Sequence, residues 1–394
     1  MSAGQPTPLE QLLRAATSQR STSIGLPAPP QGGSERRFPL TPEAAGILVD
    51  RGFNIKVESG AADLIHYDNA AYNRQGVAIT DRAETLRCDI VISLPAIREA
   101  DVRHMRRGAL LLTFSHYESQ SPQAIKALLA KSITTVALDR IGNSEGQHPF
   151  ADILREIDGR AAIAIASSLL ADAVHGKGIL LGGVAGIVPC EVTVIGADLA
   201  GLAAVRSVMG LGATARLFDD DVYRLRRASD SLGPAVITSA LHPRVFESAL
   251  RTADIVVAST LRRRVNIGSD LVAAMKRGVI VFDLEPGSGA SFPSLATVDL
   301  AEASANDNSP GAQCRICYVN AGSAVPRTAA MALSNALLAL IDDLIECDSA
   351  VNALKLIPGL RGAAMTFLGK PVDTATARLV GCRPVDISLL LQFS

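Results

Sequence analysis

The strongest constraint on this chain lies near its middle. Val192–Ile195 is a β-branched, apolar run that leads at once into Gly196-Ala197-Asp198-Leu199-Ala200-Gly201 and then into helix-forming residues. A second apolar run, Ala215–Phe218, ends in Asp219, roughly 20 residues after the first glycine. Strand, glycine turn, helix start, second strand and terminal acid is the layout of a dinucleotide-binding unit. The turn admits a pyrophosphate, the helix N-terminus faces it with N–H groups, and the acid meets the ribose hydroxyls. The expected cofactor contacts are Gly196, Asp198, Leu199, Ala200, Gly201 and Asp219, with Ser259 at the end of a later strand. Arg224, one helical turn past the aspartates, is placed to offset their charge. Asp219, reinforced by Asp220 and Asp221, points to NAD rather than NADP, because a 2′-phosphate would be repelled. The turn departs from GxGxxG at its middle glycine, where Asp198 adds bulk and a like charge.

The rest of the chain alternates in the same way. Runs at Ser23–Leu26, Asn54–Glu58, Ile90–Leu94, Leu110–Phe114 and Thr134–Leu138 read as strands, with helical segments such as Pro42–Arg51 and Pro122–Lys131 between them. A long Ala-, Ile- and Leu-rich helix is predicted from about Pro149 to His175. Strands at Val192–Ile195, Ala215–Phe218, Ile255–Ser259, Val279–Phe282 and Ile316–Val319 follow, then a helix over Thr328–Cys347 and a mixed tail. Such alternation predicts α/β structure with parallel sheets, in two domains with a joining helix.

Composition narrows the function. With 394 residues the chain exceeds one ordinary domain, and its 48% apolar content suffices for a sizeable core. Lys and Arg number 38 against 39 Asp and Glu, a balance that argues against a nucleic-acid partner. Aromatics at 4% offer no base-stacking platform. The six cysteines are sparse and mostly sit in apolar stretches, as free thiols do in a reducing compartment. Cys314 and Cys317 fall three apart on a strand, so their sulfurs diverge, and the histidines at 66, 104, 148 and 242 lack ligand spacing; no metal site is expected. The first 22 residues lack the apolar core of a secretory leader and read as a loose extension. The longest apolar stretch, taken as Ala161–Val174, is shorter than the roughly 20 residues a bilayer needs. The expected location is cytoplasmic, without membrane attachment.

Several segments together carry a resemblance. His175-Gly-Lys-Gly-Ile-Leu-Leu-Gly-Gly-Val-Ala-Gly-Ile-Val-Pro189, just before the glycine turn, resembles alanine dehydrogenase and the NAD(H)-binding component of proton-translocating transhydrogenase. Arg37-Phe-Pro-Leu-Thr-Pro42, Leu112-Thr-Phe-Ser-His116 and Ala324-Val-Pro-Arg-Thr328 are similar to that family's substrate-binding turn, catalytic-histidine strand end and return crossing. The resemblance implies two Rossmann-like domains with parallel sheets and an active-site cleft between them. It divides the chain into an extension over 1–22, a substrate domain over 23–147 completed by 327–394, and an NAD-binding domain over 148–326. It implies NAD-dependent oxidation of an amino acid, or reduction of a 2-oxo acid or imine, with Arg37 holding the substrate carboxylate and His116 as acid/base. Asn320 would face the same cleft, and a homo-oligomer, dimer or hexamer, would be the assembly.

Departures from the family pattern keep other functions open. Where these dehydrogenases carry a Lys, the chain has Ser93, followed by Leu94-Pro95. Where they carry an Asp after the fourth strand of the NAD domain, it has Gly287, with Glu285 the nearest acid. The alternatives are an NAD(H)-binding, transhydrogenase-like component without its own small substrate, and a repurposed or catalytically silent homologue. Arg262-Arg263-Arg264 reads as a solvated loop or a phosphate contact.

Overall fold

The computed structural model describes residues 22–30, 35–117, 119–261, 266–285, 289–302, 316–347 and 349–392. The chain divides into two compact units. One holds Pro39–Glu145, Ser334–Ser394 and the described residues before Pro30; the other holds Pro30–Phe38 and Gly146–Leu333. Gly287, Cys314 and the three arginines at 262–264 lie outside the described residues.

Among the described residues the first unit is built on an eight-stranded sheet. Its parallel strands are β1 (Ser23–Leu26), β2 (Asn54–Glu58), β3 (Ala78–Thr80), β4 (Ile90–Ile92), β5 (Leu110–Thr113) and β6 (Thr134–Ala137), in the order β6-β5-β4-β1-β2-β3. Strands β4, β5 and β6 are buried at every residue, as central parallel strands covered on both faces must be. The Cβ of any other residue at Gly25 would lie 2.0 Å from the Thr85 carbonyl oxygen, so glycine lets a neighbouring helix lie against β1. The sheet is mostly parallel, with an antiparallel addition at one edge. The tail adds two strands, Ala364–Phe367 pairing antiparallel with β6 and Lys370–Pro371 pairing antiparallel with it in turn. The buried Thr366 hydroxyl fixes this addition, donating to the Ile133 carbonyl at 2.8 Å and accepting the Thr135 N–H at 3.2 Å.

Among the described residues the second unit has seven parallel strands: β7 (Glu191–Ile195), β8 (Thr214–Asp219), β9 (Ile237–Ala240), β10 (Ile255–Ala258), β11 (Ile280–Asp283), β12 (Ala296–Asp299) and β13 (Ile316–Val319). Their order is β12-β13-β11-β10-β7-β8-β9, so the chain reverses direction across the sheet between β7 and β10. In open parallel sheets ligands bind outside the carboxyl ends of the strands at such a reversal. The predicted helix after residue 148 runs over Pro149–Ala171 and stops at Asp172, whose side chain accepts the N–H groups of Val174 and His175. It packs closely on the helix Leu199–Gly210: a Cβ at Gly159 would lie 2.1 Å from the Ala200 carbonyl oxygen.

Among the described residues one helix, Pro326–Glu346, is long and apolar enough by composition to cross a membrane, a segment longer than the stretch singled out in the sequence. Its Ala329, Ala330, Leu333, Leu337 and Ile341 are fully buried, the pattern of a core helix.

Candidate nucleotide and substrate sites

The glycine turn caps β7 at the chain reversal. Gly196 has φ of +104°, and a Cβ there would lie 2.9 Å from the Ser259 carbonyl carbon. A Cβ at Gly201 would lie 1.8 Å from the Gly196 carbonyl oxygen. The first and last glycines therefore do what such a fingerprint asks, a tight turn and close helix–strand packing. Ala200 and Gly201 are buried in the packed helix start, while Leu199 is 43% exposed.

Asp198 replaces the middle glycine and is tied down on several sides. It is the N-cap of the Leu199–Gly210 helix, accepting the Gly201 N–H at 3.1 Å. The Ser259 hydroxyl donates to the same carboxylate at 2.6 Å, and Arg155 forms an ion pair with it. Arg155, on the helix Pro149–Ala171, also reaches the Ser259 and Thr260 hydroxyls at 3.0 and 2.8 Å and donates to the Leu284 carbonyl. Arg155 and Thr260 were absent from the sequence reading. The guanidinium sits 43 residues before its partner, on a helix whose pattern signals only core packing.

Asp219 closes β8 as predicted, yet its carboxylate is completely buried and turned back on the turn. It accepts the Ala197 N–H at 2.6 Å and the Asp221 N–H at 2.7 Å. Burial pushes its carboxyl above the ordinary range against the pull of those bonds. Arg224 lies 3.8 Å from it and donates to the Thr260 carbonyl at 3.2 Å. The structure thus gathers Gly196, Asp198, Gly201, Asp219, Arg224 and Ser259 at one sheet end, with Asp219 as a brace for the turn. As a test of fit for a dinucleotide, the backbone of the turn, the helix N-terminus and the Arg155, Ser259 and Thr260 donors suit a diphosphate. The Asp198 carboxylate holds some of those donors for itself.

In the first unit, His116 and Ser93 follow the carboxyl ends of β5 and β4. His116 has φ of +45°, and its Nε2 lies 2.5 Å from the Leu94 carbonyl oxygen. A carbonyl can only accept, so Nε2 carries a proton, and in the neutral ring Nδ1 is the nitrogen with the lone pair. The neighbouring loop is pinned by Ser115, which donates its N–H and hydroxyl to Asp139 at 2.8 and 2.6 Å. Arg140 bonds both Tyr117 and Asp373, the latter at 2.8 Å. Ser93 is buried and its hydroxyl donates to the Pro95 carbonyl at 3.1 Å.

Arg37 falls within the second unit. Its guanidinium faces the Glu35 carboxylate through Nε at 2.7 Å and Nη2 at 2.5 Å. Burial alone would lower its pKa, but Glu35 and Asp158 hold it above the ordinary value. Asp158, one turn beyond Arg155, accepts the Gly322 N–H at 2.9 Å, and burial raises its carboxyl against the pull of Arg37 and Arg155. Neither Glu35 nor Asp158 was expected from sequence. Asn320, in a left-handed conformation at φ of +57°, donates to Asp299 at 2.7 Å. Glu285 turns back toward Asp283 and Ser291, its N–H donating to Asp283 at 3.1 Å. Among the described residues no cluster of three or more His, Cys, Asp or Glu could hold a metal ion.

Two Rossmann-like sheets, one carrying a dinucleotide-type glycine turn at its chain reversal, define the class of nucleotide-dependent α/β proteins. The chain belongs to the alanine dehydrogenase/PNT family. Residues 29–154 match its N-terminal domain and residues 162–373 its C-terminal domain. Members of the family are oxidoreductases that use NAD(H). Alanine dehydrogenase of Bacillus subtilis is 28% identical over 375 residues, covering 94% of this chain and 97% of that protein. Alanine dehydrogenase of Mycolicibacterium smegmatis is 28% identical over 323 residues, 80% of this chain and 85% of its own length. A solved L-alanine dehydrogenase aligns with TM-score 0.79 at 22% identity, over 91% of this chain and 99% of that one. A transhydrogenase from Sinorhizobium meliloti aligns with TM-score 0.71 at 19% identity, over 90% and 99%.

Proposed function

We propose that the chain is an NAD-dependent oxidoreductase of the alanine-dehydrogenase type, acting on an amino acid, 2-oxo acid or imine. The observation that carries this reading is His116, held at the end of β5 by the Leu94 carbonyl with Nδ1 as its basic nitrogen. A bound nicotinamide would supply the acceptor and donor for hydride transfer. The turn from Gly196 to Gly201, with Arg155, Ser259 and Thr260, would hold its diphosphate. His116 takes a proton from the substrate at Nδ1 and gives it back in the reverse direction, a task suited to an imidazole near neutral pH. Arg37 orients the substrate carboxylate through its planar fork, exchanging Glu35 for the substrate. Because Ser93 is neutral, that position supplies no cation to the substrate oxygen, so L-alanine itself is a weaker expectation than a substrate less dependent on that contact.

The test is a screen of amino and 2-oxo acids, with and without ammonia, followed by nicotinamide absorbance. Turnover on one of them, reduced at least about 100-fold in His116→Ala, supports the reading, since acid/base groups are worth that much. A rate untouched by that change removes His116 from the mechanism. A second reading, a binding component without a substrate of its own, is favoured by the neutral Ser93 and by Arg37 already facing a carboxylate. It predicts NADH affinity and no turnover on any acid in the screen.

A further inference from the structure

We propose that Asp198 is a built-in competitor for the nucleotide's diphosphate, and that Arg155 is the group for which the two contend. This rests on the reading above that the second unit takes a dinucleotide. The argument starts from what the Asp198 carboxylate does at the helix start. It occupies the N-terminus of a 12-residue helix, takes the Gly201 N–H at 3.1 Å and the Ser259 hydroxyl at 2.6 Å, and pairs with Arg155. Those are the contacts a phosphate seeks in such a place: N-terminal amides, a hydroxyl and a guanidinium fork. The side chain is thus an internal substitute for the anion that the turn otherwise receives.

Arg155 makes the arrangement more than a local cap. An ordinary N-cap needs no cation, yet this carboxylate is met by a guanidinium from another helix, and the two side chains are only 15% and 17% exposed. Arg155 is further fixed by the Thr260 and Ser259 hydroxyls and the Leu284 carbonyl, so it stays at the sheet end if Asp198 leaves. A diphosphate brings more acceptor oxygens and more negative charge than one carboxylate. Its entry requires Asp198 to rotate away from Gly201 and Ser259 and release Arg155. The guanidinium then serves the diphosphate. Asp198 lowers nucleotide affinity by repulsion and by prior occupation, while Arg155 sustains it.

The experiment uses the full chain and direct titration with NADH by fluorescence, with ADP-ribose in parallel to isolate the diphosphate from the nicotinamide. Asp198→Asn keeps an N-cap and removes the charge; Asp198→Gly restores the fingerprint; Arg155→Met is placed in the wild-type and Asp198→Asn backgrounds. Thermal unfolding verifies that each variant is folded. Asp198→Asn is expected to bind both ligands at least about tenfold tighter than wild type, since it removes a like charge next to a phosphate. Arg155→Met in that background should cancel most of the gain. Wild-type binding with no gain in Asp198→Asn overturns the competitor and leaves the dinucleotide reading standing. Binding by Asp198→Asn but not by wild type supports the competitor and removes NAD from the natural chain's repertoire. Failure of every folded variant to bind overturns both. A gain that survives Arg155→Met overturns the role given to Arg155.

Discussion

Position 219 separates what a residue pattern conveys from what a side chain does. The spacing from Gly196 and the strand end were legible, and Asp219 stands where they placed it. Its direction was not, because it is set by the Ala197 and Asp221 N–H groups, which the strand pattern does not report and which hold the carboxylate. Asp219→Asn offers an amide whose nitrogen cannot accept, leaving one of those buried N–H groups unmatched. A loss of about 1–3 kcal/mol is expected in denaturant unfolding; no loss would mean the brace is idle. Asp101 carries the opposite electrostatics. Burial raises its carboxyl, but bonds from Arg82 and Arg98 outweigh this and hold it at about 2. A folded pKa below the unfolded value of 3.8 contributes stability above that value, lost as pH falls toward 2. Unfolding followed between pH 5 and 2 should show Asp101→Asn with a shallower decline than wild type, by about 2 kcal/mol over the range.

Elements with a long apolar pattern were read correctly, and short, half-exposed ones were missed. The core strands β4, β7 and β10 announce themselves because both faces are covered. β3, β9 and β12 lie at or near sheet edges with three or four residues and little burial, so they carry no periodic signal. The antiparallel Ala364–Phe367 strand is buried throughout, but its place beside β6 depends on a partner more than 200 residues away. Helix Pro149–Ala171 was legible as a helix, but its contact through Gly159 was not, since one glycine in an apolar helix reads as an irregularity. Gly159→Ala puts a methyl against the Ala200 carbonyl and should cost roughly 1–3 kcal/mol by thermal or denaturant unfolding. It should also weaken NADH binding, because Arg155 rides on the same helix one turn earlier. Stability and affinity both unchanged would mean that the helices separate freely.

On the scale of the whole chain, the described cysteines report on each unit's core. Cys88, Cys190, Cys317 and Cys347 are buried and Cys382 is exposed, and burial pushes the Cys317 thiol up to about 12. Under native conditions a maleimide should modify Cys382 within minutes, while Cys88 in the first unit and Cys317 in the second react only as their own sheets open. Peptide mapping that finds Cys317 modified as fast as Cys382 would contradict the packing of β13. The two arginines best placed to attract anions share one further trait: each already faces an acid of its own chain, Arg37 with Glu35 and Arg155 with Asp198, in a molecule of net charge −1. Such a protein exerts almost no long-range pull on a negatively charged metabolite. Its encounter rate with NADH, measured by stopped flow, should therefore barely respond to ionic strength, and discrimination would begin only once the ligand has arrived and begun to displace a carboxylate.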